Sequence, residues 1–198
     1  MAGQFPTSVE FSYVSVISKE NNLSSRSQSQ VRQSRLIGAH VWVLSVKFNL
    51  MTKKEFAPVW AFLNNQKGSH ESFTIILPGY DQPLGINNGS PIFSTKITDN
   101  RISVNNYTPS ITDQVYYSDM FNIGGDSKVY AAANSASSDS SGNLSIDFTP
   151  ALRKTPGPSA PLTFSNVVFT VSLDNDVQFN RNGLLFQISP LTMTEALI

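Results

Sequence analysis

Hydrophobic positions change period twice between Leu36 and Pro78, in the stretch LIGAHVWVLSVKFNLMTKKEFAPVWAFLNNQKGSHESFTIILP. Trp42, Leu44, Val46, Phe48 and Leu50 recur at every second residue, with Ser45, Lys47 and Asn49 between them, which predicts a strand with one face in a core. Thr52 then stands at an N-cap position, and Glu55 three residues later can reach back to its backbone N–H, forming a capping box. Met51 and Phe56 flank that cap as a hydrophobic staple. Phe56, Val59, Trp60 and Leu63 follow helical spacing, and Gly68 supplies a stop. Pro58 lies past the first turn, where it removes a backbone hydrogen bond and is expected to bend the helix or delay its regular part. From Glu71 to Leu77 the period returns to two, with Phe73, Ile75 and Leu77 on one face and Pro78-Gly79 closing the strand.

The flanks are β-like. Val9, Phe11 and Tyr13 alternate with Glu10, Ser12 and Val14, which predicts a first strand. Lys19 to Arg35 has almost no apolar periodicity and reads as a long loop or a hairpin that needs a partner to order. As an arm in subunit contacts its reaching residues would be Asn22, Arg26, Gln30, Arg32 and Arg35. After the turn-rich connector GYDQPLGINNGSP, short strands are predicted over Ile92 to Val104, Gln114 to Phe121 and Ser127 to Ala132, and through Leu144, Ile146 and Phe148. Pro150 and the loop TPGPSAP end that series, whose spacing without helices suggests a small β-barrel or sandwich. Val167, Phe169, Val171 and Leu173 then return to alternation, and Gly183 to Ile188 forms another apolar run.

Residues 1–84 and 166–198 are therefore expected to form one domain, interrupted by an inserted module at 85–165. The expected fold is mainly β: a β-sandwich with one flanking α-helix, plus a small β-barrel or sandwich.

Composition narrows the function. The 198 residues are 40% apolar, enough for a packed core, while only 14% are charged and Lys+Arg equals Asp+Glu. Nucleic acid and anionic membranes, which select basic surfaces, are disfavoured as partners. The absence of cysteine excludes disulfides, thiolate catalysis and Cys-ligated metals. No apolar run approaches a membrane span, and MAGQFPTSVEF lacks the features of a leader, so synthesis in a cytoplasm without a signal is expected. Asn-x-Ser/Thr triplets at Asn22, Asn88, Asn106 and Asn143 are accordingly read as chance.

Catalytic signatures are missing. His40 and His70 have no metal-ligand spacing and are expected in structural or surface roles. Asp174, Asn175 and Asp176 lack the rest of a calcium loop and read as a turn. No GxSxG, P-loop or GxGxxG occurs, so neither an enzyme nor a cofactor is expected. Trp42 and Trp60 fall on core faces, whereas Tyr116, Tyr117 and Phe121 lie near turns and are candidates for contacting a protein partner or a glycan.

The strand VWVLSVKFNLM, the helix TKKEFAPVWAFLNNQKG, the strand ESFTIILPG, the segment KVY with SSDSSGNLSIDFTPALRK, and the return VVFTVSLDNDVQFN together resemble the distal tail protein (Dit) family of phage tail tips. The resemblance covers most of the chain and rests on order and pattern. It implies a ring-forming β-sandwich domain carrying an inserted OB-fold or galectin-like module. It further implies a virion location at the tail tip and a hexameric ring contacting the tail tube protein, the tip hub and fibre proteins. A carbohydrate-binding module for host-surface recognition is the alternative.

Overall fold

The computed structural model describes residues 3–7 and 9–197. Met1, Ala2, Ser8 and Ile198, which fall within the N-terminal segment and the domain limits read above, lie outside the described residues. Strands β1 (Phe11–Lys19), β2 (Asn22–Arg26), β3 (Arg32–Leu36) and β4 (Val41–Phe48) lead to helix α1 (Lys53–Asn65) and β5 (Ser72–Ile76). Strands β6 (Gly89–Thr98), β7 (Arg101–Tyr107), β8 (Met120–Ile123), β9 (Val129–Ala132), β10 (Leu144–Thr149) and β11 (Leu162–Thr163) follow. The chain ends with β12 (Val168–Leu173), β13 (Phe179–Asn182), β14 (Leu185–Ile188) and β15 (Leu191–Glu195). The protein is thus mainly β, with one helix among the described residues.

The strand–helix–strand unit forms from the signals that predict it. Trp42, Leu44, Val46 and Phe48 are buried along β4. Leu50 is exposed instead, because β4 ends at Phe48 and the turn sends Met51 inward. The Thr52 N–H donates to Glu55 Oε2 at 2.9 Å, and Thr52 Oγ1 donates to the same oxygen at 2.9 Å. Thr52→Ala should lower stability by about 1 kcal/mol, read as a drop in the thermal midpoint. Pro58 does not delay the helix, which is regular from Lys53. Its missing N–H leaves only the Lys54 carbonyl unbonded, in the exposed first turn where water can serve it.

A five-stranded antiparallel sheet has the order β1-β4-β15-β12-β5. One face holds Leu44, Val46, Phe73, Ile75, Phe169, Val171, Leu191 and Met193, all nearly inaccessible. Phe56, Val59 and Leu63 of α1 join the same core, and Phe186 of the β13–β14 hairpin stacks on Phe56 at 4.7 Å.

In β1 the alternation differs from the sequence expectation. Phe11 pairs with Phe48, but Tyr13 pairs with Lys47, so Ser12 is an extra residue and β1 carries a bulge. Beyond it the inward parity passes to Val14 and Val16, while Tyr13 turns outward under the Lys47 ammonium, 5.3 Å from its ring centroid.

The second sheet, β11-β8-β9-β10-β7-β6, curls into a nearly closed barrel. Its two edges meet where Ile92 bridges Pro161 and the Phe93 N–H donates to the Ala160 carbonyl at 2.8 Å. Leu144, Ile146 and Phe148 point into its core with Phe121, Tyr130 and Phe164. Gln114 to Asp119 is a turn-rich connector rather than a strand, held by buried polar side chains, and β8 starts only at Met120.

All four residues of β9, VYAA, are buried. Tyr130 and Ala132 belong to the barrel core, while Val129 and Ala131, with Met120 of β8, belong to the core of the five-stranded sheet. Strands β8 and β9 are therefore a wall shared by the two modules, which explains an apolar run in place of alternation.

Candidate functional site

Strands β2 and β3 form an antiparallel ribbon in which all ten residues are exposed. The segment expected as a loop or a hairpin is thus a hairpin. It holds Asn22 and Arg26 on one strand and Arg32 and Arg35 on the other. Gln30 sits in the turn with φ of 65°, its N–H donating to the Ser27 carbonyl at 2.9 Å. Arg26 stands directly opposite Arg32, a like-charge pair that weakens a ribbon unless an anion meets it. Leu23, Val31, Leu36 and Ile37 are also exposed, so the arm has no core of its own.

The two edges of the five-stranded sheet differ. Along β5, the Phe5 N–H donates to the Thr74 carbonyl at 2.7 Å and the Thr74 N–H donates to the Gly3 carbonyl at 3.0 Å, which covers that edge. Strand β1, nine residues long, is paired to β4 on one flank and has no strand partner on the other among the described residues. Tyr13 and Ile17 lie exposed along it, and the arm begins at its end.

Tyr116 and Tyr117 are 41% and 53% exposed and meet edge to face, with centroids 5.4 Å apart. Asp119, buried behind them, accepts from the backbone N–H groups of Leu84 (2.7 Å), Gly85 (3.0 Å) and Tyr116 (2.7 Å). A Cβ on Gly85 would lie 2.6 Å from the Gln114 carbonyl oxygen, so only glycine allows this approach. The tyrosines and the exposed Leu84 and Ile86 therefore form a rigid rim.

Phe121 is not part of that rim. It is fully buried in the barrel, stacked on Phe164 at 5.0 Å, which removes it from any contact surface. Its inward position follows from β8 beginning at Met120.

The junction of the modules carries a charge cluster assembled from residues far apart in the sequence. The buried Lys128 ammonium pairs with Glu195 Oε2 and also donates to the His40 carbonyl at 3.0 Å. His40 Nδ1 lies 3.1 Å from the same nitrogen. Glu195 Oε1 accepts from the Val129 N–H at 3.0 Å, and Oε2 accepts from the Trp42 N–H at 3.1 Å. The Trp42 indole N–H donates to the Val129 carbonyl at 2.8 Å. The one hint is that Glu195 shares the parity of Leu191 and Met193, a carboxylate at a core position that needs a buried partner.

Burial, then Lys128, lower the His40 pKa from 6.5 to about 4. Desolvation pushes the Lys128 pKa down, against the opposing pull of Glu195. Ser18 Oγ lies 2.9 Å from His40 Nε2. A Ser–His pair that works as nucleophile and base needs a carboxylate on the far ring nitrogen to stabilise the imidazolium, and here a cation stands there instead. His70 is exposed. Among the described residues no three His, Asp or Glu side chains gather as a metal site requires, and no helix is long and apolar enough to cross a membrane. The arrangement offers surfaces for association: an open sheet edge, a basic ribbon and an aromatic rim. No protein-family model matches the chain, and a search of curated proteins finds no match.

Proposed function

We propose that the chain is a structural, non-enzymatic ring subunit of a phage tail tip, of the distal tail protein kind, that acts through interfaces between copies. The observation carrying this reading is the exposed ribbon β2–β3 that continues from the end of β1, a strand whose outer edge is uncovered among the described residues. A long free edge is a template for adding a strand from another chain. One covered edge and one open edge suit a repeating head-to-tail contact, which closes as a ring when the rotation allows.

Charge supports a second copy as the occupant. The span 22–36 carries Arg26, Arg32 and Arg35 and no acid, so in a chain of zero net charge the remainder is acidic by three. Arm and body of two copies are complementary. The hexameric ring would join the tail tube protein to the tip hub and fibre proteins in the virion, with the rim of Tyr116 and Tyr117 facing one of these neighbours.

Sedimentation at tens of micromolar tests the reading. The intact chain should form a closed oligomer, and Arg26→Glu with Arg32→Glu should shift it to monomer while leaving far-UV circular dichroism unchanged. A monomer throughout, with no rings by negative stain even beside tail components, would overturn the proposal. The alternative, a carbohydrate-binding module, rests on the same two tyrosines. Their perpendicular packing offers no common flat platform for a sugar face, and glycan-array binding abolished by Tyr117→Ala would be required to sustain it.

A further inference from the structure

Every acceptor of the Lys128 ammonium comes from the other module: Glu195 at the end of β15, and the carbonyl and ring of His40 just before β4. We propose that this cluster is an acid-sensitive latch, which holds the barrel docked on the sheet and releases it, with both cores still folded, when His40 takes up a proton. The latch goes beyond the ring reading and does not depend on it.

The hydrogen-bond inventory fixes the resting state. An ammonium has three donors and no acceptor, so His40 Nδ1 must be unprotonated to face it and the ring proton sits on Nε2, toward Ser18 Oγ. Lys128, Glu195 and neutral His40 are then balanced in charge, and the Lys128 and Glu195 side chains are 3% and 0% exposed. A proton on Nδ1 removes an acceptor, sets two donors 3.1 Å apart and leaves a net positive charge in a buried place. The surrounding charges offer little relief. Asp126 is engaged by Arg153 at 2.7 Å, and Glu20 acts on Lys128 only through the field. A cleft of about 320 Å³ lined by Glu20, His40, Lys128 and Arg153 gives water a path to the ring.

Release need not unfold either body. The barrel core is closed on itself, and docking adds Met120, Val129 and Ala131 against the sheet. The Asn122 side chain accepts from the Val168 N–H at 2.9 Å and donates to its carbonyl at 3.1 Å, and the Asn166 N–H donates to the Asp81 carbonyl at 2.6 Å. The Asn166–Asp81 bond ties the two crossing chains together, the Asn122–Val168 pair holds the returning chain against β8, and together they serve as the hinge.

The sign follows from proton linkage. His40 is depressed to about 4 when docked and regains its ordinary 6.5 when exposed, so between these values the released state binds more protons. Docking is at full strength above the higher value and weakens as pH falls, by up to about tenfold per pH unit.

The cysteine-free chain permits a direct test. Spin labels at Lys54→Cys on the helix and Ser145→Cys on the barrel, in chain diluted with unlabelled protein, report the inter-module distance by double electron–electron resonance. A narrow distribution at pH 7.5 should broaden and lengthen at pH 4.5 while the near-UV circular dichroism persists. His40→Asn, which keeps an acceptor for Lys128 and cannot be protonated in this range, should stay narrow at both. An unchanged distribution at pH 4.5, equal broadening in His40→Asn, or loss of the near-UV signal together with the broadening would overturn the latch.

Discussion

Phe121→Ala is expected to destabilise the barrel by about 3–5 kcal/mol, because a fully buried aromatic leaves both its transfer free energy and a cavity behind. The ring is stacked on Phe164 and meets Phe148 edge-on at 5.8 Å, so the surrounding aromatics are braced by one another and cannot collapse into the space. Tyr117→Ala, four residues earlier and half exposed, should change stability by less than about 0.5 kcal/mol. Urea titrations followed by near-UV circular dichroism separate the two. A small effect for Phe121→Ala would mean that this side chain is not in the core and would return it to the candidate contact surface.

Lys128→Met should cost about 3–5 kcal/mol, since it leaves the Glu195 carboxylate buried without its cation. Glu195 keeps the N–H groups of Val129 and Trp42, which soften the loss but carry no net charge. Glu195→Gln alone should also be costly, because it strands the ammonium. The pair of substitutions together should be less damaging than their sum, with a coupling energy of about 1–3 kcal/mol in a double-mutant cycle. Additive losses would show that the two side chains do not sense each other.

The parts of the fold legible in the sequence are those where one face of an element is buried and its ends are marked chemically. The strand through Trp42, the capped helix from Thr52 and the strand through Phe73 satisfy both conditions. Strand β1 was legible as a strand but not in its inward set, because a single bulge at Ser12 reverses parity and Ser12 is no different from any other polar strand residue. The burial of Phe121 is hidden in the sequence for a related reason: Gln114 to Asp119 has strand-like content, yet Asp119 and Gln114 spend their polar atoms pinning a loop, and the strand begins after them. The arm lacks periodicity since both of its faces meet solvent, so loop and hairpin looked alike. The Lys128–Glu195 contact spans 67 residues and that to His40 spans 88, separations over which no local pattern carries information.

The strand order β1-β4-β15-β12-β5 also has a consequence in time. The centre of the sheet is filled by β15, which follows every other strand in the sequence. During synthesis the barrel strands emerge and can close while β4 still waits for its inner neighbour, the backbone N–H and C=O groups along that flank unpaired. The early half of the sheet is thus an aggregation hazard until the final strand arrives. Once Phe164 has left the ribosome, and until Leu191 follows, the nascent chain displays a finished barrel on an unfinished foundation.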